Sequence, residues 1–183
     1  MDLWNCTSFG ILELIEEKED VLQLINSYPI GLVSQIIEIE NVLTLVSLKQ
    51  GIIKLQKGSF VHGFDTLDDS ITINHIEKTL DKQLLIGTSN GLYITSLTGE
   101  IRHHYKVEGS IFSVRKICRL HTSWILLYSD RIEVVHENSF RLQLLETIYI
   151  PGSLTSVQLD TYDNIWVGTN NDGIKKVSVF RKS

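Results

Sequence analysis

Three features of the sequence together predict an all-β protein, a β-propeller of about five blades. A turn followed by an apolar pair recurs with its pivot at positions 10, 51, 91, 130 and 173, which are 39 to 43 residues apart. The runs around each turn are rich in β-branched and aromatic residues and are bounded by Gly, Asn, Asp and Ser, which is typical of strands and hairpins. Each period holds four such runs, and four antiparallel strands in about 40 residues make one propeller blade.

The turns at the pivots carry a backbone signal of their own. Asn90-Gly91 and Asp172-Gly173 are strong hairpin dipeptides, because Asn, Asp and Gly tolerate a positive φ. We therefore expect positive φ at Gly91 and Gly173. In the fourth copy Asp130 stands in the place of glycine, and Asp can also occupy that backbone region.

Each hairpin lies between two further predicted strands. The strands that precede the hairpins alternate between apolar and polar residues and are expected to be innermost; they cover residues 31–37, 71–76, 111–117 and 154–159. The strands that follow the hairpins are expected to be outermost and include residues 59–62, 101–105 and 142–145.

The phase of the repeats sets the expected organisation of the chain. It predicts a single propeller, or a propeller segment, over 1–183, with blades near 1–29, 30–69, 70–109, 110–152 and 153–183. The first and last blades are incomplete, which leaves two outcomes. We expect a compact ring of five blades in one chain; the alternative is an open arc that associates through its incomplete terminal blades. A helix that uses the apolar positions between Ile11 and Ile25 is the competing interpretation of the first segment.

Two copies of the repeat resemble a known family. Residues 165–170 read Ile-Trp-Val-Gly-Thr-Asn before Gly173-Ile174, which resembles the apolar-Trp-apolar-Gly-Thr-x-x-Gly-Leu repeat of two-component regulator propellers. Residues 84–93 resemble it as well and are also similar to the citron-homology propeller repeat. Ser47 and Ser129 depart from the Gly-Thr pair in other copies, and no Gly-His…Trp-Asp pattern supports an ordinary WD40 repeat. The resemblance implies a sensory or signalling context.

Composition and charge exclude several classes of function. The chain has 17 Lys and Arg against 22 Asp and Glu, a formal net charge of −5, so a basic footprint for nucleic acid is not expected. A hydrophobic fraction of 43% indicates a packed domain and not a disordered chain. No apolar run reaches the roughly 18 residues of a membrane span, and no secretory signal opens the chain, so we expect no membrane insertion and a cytoplasmic location.

No catalytic, metal or cofactor site is predicted from the motifs. Cys6 and Cys118 are too far apart for a zinc motif, and we expect both to be buried apolar side chains. The three carboxylates within 65–69 lack the ordered spacing of a calcium loop and indicate a solvated loop. His103 and His104 are adjacent on a predicted strand, so they face opposite sides and cannot share one metal ion.

Tryptophans recur at near-equivalent places on the second strand of three blades, at Trp4, Trp124 and Trp166. Such regularity favours packing between blades, whereas an isolated tryptophan at a rim would favour stacking on a ligand.

The central channel is the predicted place for a ligand, because the innermost strands converge there. Polar side chains on those strands are the candidate ligand-binding residues, above all Gln35, Asn74, His75, Arg115 and Gln158, together with Ser34, Ser113 and Ser156.

Two functions remain open on the sequence alone. The first is a non-catalytic propeller used for sensing or protein interaction, with a protein partner or a small-molecule ligand. The second is a propeller enzyme, a lyase or hydrolase, at the mouth of the channel, which would need converging carboxylates or histidines with perturbed pKa values.

Overall fold

A computed structural model describes residues 2–6, 10–19, 21–47, 50–57, 59–63, 67–68, 70–79, 81–116, 123–138 and 141–177. Within these ranges the chain is all-β. The strands are β1 (Asp2–Cys6), β2 (Ile11–Lys18), β3 (Val21–Pro29), β4 (Val33–Ile39), β5 (Val42–Ser47), β6 (Gly51–Gln56), β7 (Ser59–His62), β8 (Ile73–Lys78), β9 (Gln83–Thr88), β10 (Gly91–Ser96), β11 (Ile101–Tyr105), β12 (Ser113–Lys116), β13 (Ser123–Leu127), β14 (Arg131–Asn138), β15 (Arg141–Tyr149), β16 (Leu154–Leu159), β17 (Ile165–Thr169) and β18 (Ile174–Val177).

The strands form five sheets of consecutive antiparallel strands, which we number as blades 1 to 5. They contain three, four, four, four and three described strands, in the orders β1–β3, β4–β7, β8–β11, β12–β15 and β16–β18. The predicted all-β fold of about five blades is confirmed, and the first and last blades each have three described strands. No helix in the described ranges has the length and apolar character needed to cross a bilayer. The chain divides into two compact units, Met1–Phe64 and Asp65–Ser183.

The first unit holds blades 1 and 2. The helical interpretation of its first segment is wrong, since β2 and β3 pair from Lys18↔Val21 onwards. Glu19 has a φ of 53° in the turn between them, a conformation that a right-handed helix does not contain. Leu12 and Leu45 are fully buried in the core of this unit, and the rings of Tyr28 and Phe60 meet edge to face at 4.9 Å.

The second unit holds blades 3, 4 and 5, which bury apolar faces against one another in chain order. Leu85 and Ile94 of blade 3 form one cluster with residues of blade 4 that include Leu126. The opposite face of blade 4 forms a second cluster with blade 5, in which Ile125 packs with Val167. Residues alternate between these two faces along each strand, as the period of two requires.

The threonine of the repeated Gly-Thr pair makes two hydrogen bonds within its own hairpin. The Thr88 hydroxyl donates a hydrogen bond to the Gly91 carbonyl at 2.8 Å and accepts one from the Asn90 N–H at 3.0 Å. Thr169 makes the same two bonds, to the carbonyl of Gly173 and from the N–H of Asp172, each at 2.9 Å. The threonine therefore ties the hairpin to its own strand.

The two departures from the Gly-Thr pair differ in kind. Ser47 accepts a hydrogen bond from the Gln50 N–H at 3.2 Å, so its hydroxyl replaces part of the threonine tie. In blade 4 the equivalent residue is Tyr128 and not Ser129, because the N–H of Tyr128 closes the turn onto the Arg131 carbonyl at 2.9 Å.

The expected turn conformation holds at both glycines and fails at Asp130. Gly91 has a φ of 120° and Gly173 a φ of 70°. Asp130 has no positive φ. The reason is a shift of one residue: Leu127↔Ile132 corresponds to Gly87↔Leu92, so Arg131 and not Asp130 is equivalent to Gly91.

The tryptophans are not equivalent, which corrects the predicted packing of Trp166. Trp4 and Trp124 contact the apolar clusters of their units, and Trp124 is only 3% exposed. Pairing from the hairpin aligns Trp166 with Ile125 rather than with Trp124, and a slip of one residue turns a side chain to the other face of the sheet. Trp166 is 39% exposed and donates its indole N–H to Asp160 at 3.2 Å.

The predicted strain at the hairpin glycines can be tested with one substitution at two places. A Cβ on Gly91 would clash with the carbonyl oxygen of Tyr105, whereas a Cβ on Gly173 would meet open space. Gly91→Asn should lower the free energy of unfolding by about 2 kcal/mol or more, and Gly173→Asn by about 1 kcal/mol or less. Equal chemical-denaturation midpoints for the two variants would contradict this difference.

The two tryptophans of the second unit should respond differently to truncation. Trp124→Ala removes a buried side chain from the interface between blades 3 and 4 and should cost about 3–5 kcal/mol. Trp166→Ala removes a partly exposed ring and one hydrogen bond and should cost about 1–2 kcal/mol. Thermal melts beside the wild type measure both, and a larger cost at Trp166 would refute the assigned register.

Candidate functional site

The innermost strands of the second unit carry polar residues at equivalent register positions, counted along the strand pairs from each hairpin. Glu77 pairs opposite Leu85, Arg115 opposite Ile125 and Gln158 opposite Trp166. These three second-strand positions are themselves equivalent, so the polar side chains form one row across blades 3, 4 and 5. His75, Ser113 and Ser156 form a neighbouring row two residues earlier.

Arg115 joins the members of the first row. Its Nη1 donates to Glu77 Oε2 at 3.0 Å, and its Nε donates to Gln158 Oε1 at 3.1 Å. Nη1 also contacts Nε2 of His75 at 2.6 Å and the Val114 carbonyl at 3.2 Å. We call His75, Glu77, Arg115 and Gln158 the Arg115 cluster. It crosslinks the inner strands of three successive blades.

Burial shifts the two titratable partners of Arg115 towards their neutral forms. Burial, reinforced by the charge of Arg115, lowers the pKa of His75 to about 3. Burial also raises the pKa of Glu77, and the ion pair with Arg115 opposes that rise. His75 is therefore neutral at pH 7.

The contact with Arg115 fixes the tautomer of His75. A guanidinium can only donate, so Nε2 must supply its lone pair, and a neutral ring then carries its proton on Nδ1. The Val114 N–H also approaches Nδ1, at 3.5 Å, but this contact is far longer and weaker than the 2.6 Å contact between Arg115 Nη1 and Nε2. The one basic lone pair of His75 is thus already engaged.

Arg115 keeps part of its hydrogen-bonding capacity. Among the described residues, its Nη2 has no hydrogen-bond or ion-pair partner, and neither has the amide nitrogen of the exposed Gln158. The Arg115 side chain is 23% exposed. Guanidinium and amide N–H groups are donors suited to a planar carboxylate or a phosphate.

Comparisons with known proteins establish the fold of the chain. The sequence matches no family model, and the search of curated proteins finds no match. The extracellular domain assigned to a hybrid two-component system, BT4673 of B. thetaiotaomicron, superposes with a TM-score of 0.74 at 19% identity, covering 99% of this chain and 26% of that one. The AfRom2 CNH domain superposes with a TM-score of 0.66 at 12% identity, covering 98% of this chain and 61% of that one. The WD40 propeller domain of Doa1 superposes with a TM-score of 0.69 at 15% identity, covering 94% of this chain and 62% of that one.

The fold is that of a β-propeller. The resemblance to two-component regulator propellers and to the citron-homology repeat is confirmed at the level of fold. The chain spans about a quarter of the two-component protein's domain and less than two thirds of the other two chains.

The propeller brings together three of the predicted ligand-binding residues: His75, Arg115 and Gln158. Asn74 is the extra residue of a bulge between Ile73 and His75, and its amide donates to the Ile111 carbonyl at 2.9 Å. Gln35 lies in the first unit, on β4 opposite Val46. Whether these residues bind a ligand stays a prediction.

The remaining small polar residues of the inner strands have other surroundings. Ser34 lies at the register shift of β4, and its hydroxyl donates to the Val46 carbonyl at 3.3 Å. Ser113 is buried, and Ser156 is exposed.

Glu77 is the member of the cluster that sequence reasoning missed. The predicted innermost strand stopped at residue 76, whereas β8 continues to Lys78. The alternation His75-Ile76-Glu77 was the available signal, because Ile76 is fully buried and its two neighbours face the other side.

The described residues contain no group of three or more His, Cys, Asp or Glu side chains arranged to hold a metal ion. Asp68 caps a local turn by accepting the Ser70 N–H at 2.8 Å. Asp65, Asp69, Cys118 and the side chain of Cys6 lie outside the described residues, so those predictions stay open.

The lowered pKa of His75 predicts a pH dependence of stability. The unfolded chain binds a proton at His75 below about pH 6.5, but the folded chain does so only near pH 3, so stability falls as the pH is lowered between these values. The fall from this group approaches about 1.4 kcal/mol per pH unit. His75→Gln keeps an acceptor for Arg115 and removes this titration.

Urea denaturation of both proteins at pH 7 and pH 5 measures the effect. Glu77 acts in the opposite direction, because its raised pKa stabilises the folded state as the pH falls, and it is present in both proteins. The wild type should therefore lose about 2 kcal/mol more than His75→Gln over this interval. Equal losses would show that His75 is not held neutral.

Proposed function

We propose that this chain is a non-catalytic propeller module for sensing or protein interaction, and that its Arg115 cluster binds a small anionic ligand. The observation that carries the proposal is the arrangement of Arg115, which is held by Glu77, His75 and Gln158 while its Nη2 has no partner among the described residues. An arginine fixed in this way loses little conformational entropy when it binds a ligand.

The state of the neighbouring groups supports binding over catalysis. The basic lone pair of His75 accepts from Arg115, and Glu77 is ion-paired to the same guanidinium. A general base must present a free lone pair to the proton that it removes. His75 would have to leave Arg115 first, and the charge of Arg115 makes the Glu77 carboxylate a weaker base.

The unused donors of the cluster support an anion as its ligand. Arg115 and Glu77 balance each other, so the ion pair holds the guanidinium in place at no net charge. The remaining donors are Nη2 of Arg115 and the amide of Gln158, and neither can accept a hydrogen bond. A carboxylate or phosphate oxygen is the complementary partner.

The biological setting belongs to the same proposal. The solved structures that share this fold include the extracellular domain of a putative two-component system and BBS1N in complex with ARL6DN. These likenesses favour a module whose output lies in a protein partner. We propose a signalling context for this chain, with a cytoplasmic location as the sequence predicts.

A propeller lyase or hydrolase is the second candidate function. One observation favours it: His75 and Glu77 lie in one cluster and both have perturbed pKa values. Under that alternative the ligand is a substrate, and it would be consumed when incubated with the protein.

A ligand screen with three variants tests the proposal. Succinate, citrate, inorganic phosphate and adenosine monophosphate are titrated by calorimetry and by thermal shift. Gln158→Ala should weaken the binding of the best ligand about tenfold, which corresponds to about 1.4 kcal/mol. Arg115→Lys keeps the charge but loses the guanidinium fork, and it should abolish measurable binding.

Arg102→Lys is the matched control, since it makes the same change at an exposed arginine on β11 outside the cluster, and it should bind like the wild type. Equal binding by all variants, or no binding of any ligand, would refute the anion site. Turnover of a bound ligand, followed by NMR, would favour the enzyme.

A further inference from the structure

A groove separates the outer strands of blades 3 and 4 in the second unit. Its volume is about 410 Å³, and its lining includes Val107, Val135, Leu142 and Leu144 on the apolar side and Lys106 and Glu133 on the polar side. This size lies within the range of about 300–1,000 Å³ that is usual for ligand pockets. The groove is distinct from the Arg115 cluster, which uses the innermost strands.

The walls of the groove are held in place before any partner arrives. Val135 is 3% exposed, and Leu142 packs with Val107 against the core between the two blades. The His104 ring stacks on Tyr93 with ring centres 3.9 Å apart and planes within 7°. A preformed groove binds without a large ordering cost.

Lys106 lines the groove and brings a positive charge to it in a chain whose formal net charge is −5. In the described part of the chain, Lys106 takes part in no ion pair. An incoming negative charge therefore does not have to displace an internal partner.

The carboxylate of Glu133 does not cancel the charge of Lys106. Arg131 donates to one of its oxygens at 2.8 Å, and the Tyr128 hydroxyl donates to the other at 2.9 Å. Arg131 also lies over the Tyr128 ring, 3.9 Å from its centre. The charge of Glu133 is thus paired within blade 4, and the charge of Lys106 is not.

The strands beside the groove end their sheets. β11 is the outermost strand of blade 3 and β15 that of blade 4, so among the described strands each has an outer edge without a neighbour in its own sheet. Extended peptides recognise such edges through their backbone and place alternate side chains in adjoining pockets. Leu144 on β15 is 54% exposed at the groove.

We infer that this groove binds an extended acidic peptide segment of a protein partner, with a large apolar side chain in the groove and a neighbouring carboxylate on Lys106. The apolar lining favours a peptide over a nucleic acid, because a phosphate backbone would gain nothing from Val107, Leu142 and Leu144. The inference goes beyond the proposed anion site and does not depend on it.

A synthetic peptide Asp-Leu-Asp-Phe-Asp, labelled with a fluorophore, is the probe, and anisotropy measures its binding. Lys106→Glu reverses the charge at the rim, and Leu144→Asp places a charge on the apolar side. Each should weaken binding at least tenfold, while circular dichroism and melting confirm that both variants fold.

Two matched variants make the same chemical changes elsewhere. Lys82→Glu reverses the charge of an exposed lysine in the turn before β9. Leu145→Asp places a charge on the residue next to Leu144; Leu145 is 45% exposed and does not line the groove. Both should bind the peptide within threefold of the wild type. Equal losses in the control variants would overturn the inference.

Three further probes complete the test. The peptides Lys-Leu-Lys-Phe-Lys and Asp-Ser-Asp-Ser-Asp should bind at least tenfold more weakly, and equal binding of either would refute the stated chemistry. An oligonucleotide that binds through Lys106 but is indifferent to Leu144→Asp would show a nucleic-acid site instead. The anion screen on the same variants should be unchanged, so failure of the groove and failure of the Arg115 site are separable.

Discussion

The burial of one blade's apolar face against the next is the constraint on which the second unit depends. A sheet of three or four strands cannot bury its own side chains, so Leu85 and Leu126 become inaccessible only because blades 3 and 4 stack. Close stacking explains the glycine of the repeat in blade 3. A Cβ on Gly87 would lie 2.9 Å from methyl groups of Ile111 and Val114 in the following blade, so a larger residue would force the sheets apart.

The same stacking determines the register of the inner strands and therefore the polar row. Because Ile76, Val114 and Val157 must face apolar neighbours, the residues that follow them have to face the other way. Those residues are Glu77, Arg115 and Gln158. A half-buried guanidinium is costly alone, and the glutamate and glutamine at equivalent positions of the flanking blades satisfy it. The cluster is thus a consequence of repetition with a different side chain in each copy.

The sequence was sufficient for the fold and for part of the site, and its failures have a common cause. Period, turn chemistry and alternation are local signals, and they located the hairpins at Gly91 and Gly173 and the polar residues His75, Arg115 and Gln158. The misplacement of Trp166 and the omission of Glu77 are errors of one residue in register or strand length. Such an error is small along the chain but reverses the face of a side chain, and only cross-strand pairing resolves it.

Two departures from the repeat pattern change the side-chain chemistry of blade 4. Thr88 and Thr169 tie their hairpins, but the equivalent Tyr128 instead reaches Glu133, and burial and that carboxylate raise its pKa. Arg115 likewise replaces the uncharged or acidic residue of the neighbouring inner strands. Both changes fall in blade 4, and both place an arginine beside a glutamate. At the inner strands the Arg115–Glu77 pair leaves guanidinium donors unused. At the outer groove the Arg131–Glu133 pair neutralises Glu133, so the charge of Lys106 stays unpaired among the described residues. Substitution within one blade thus gives a regular scaffold two chemically distinct surfaces.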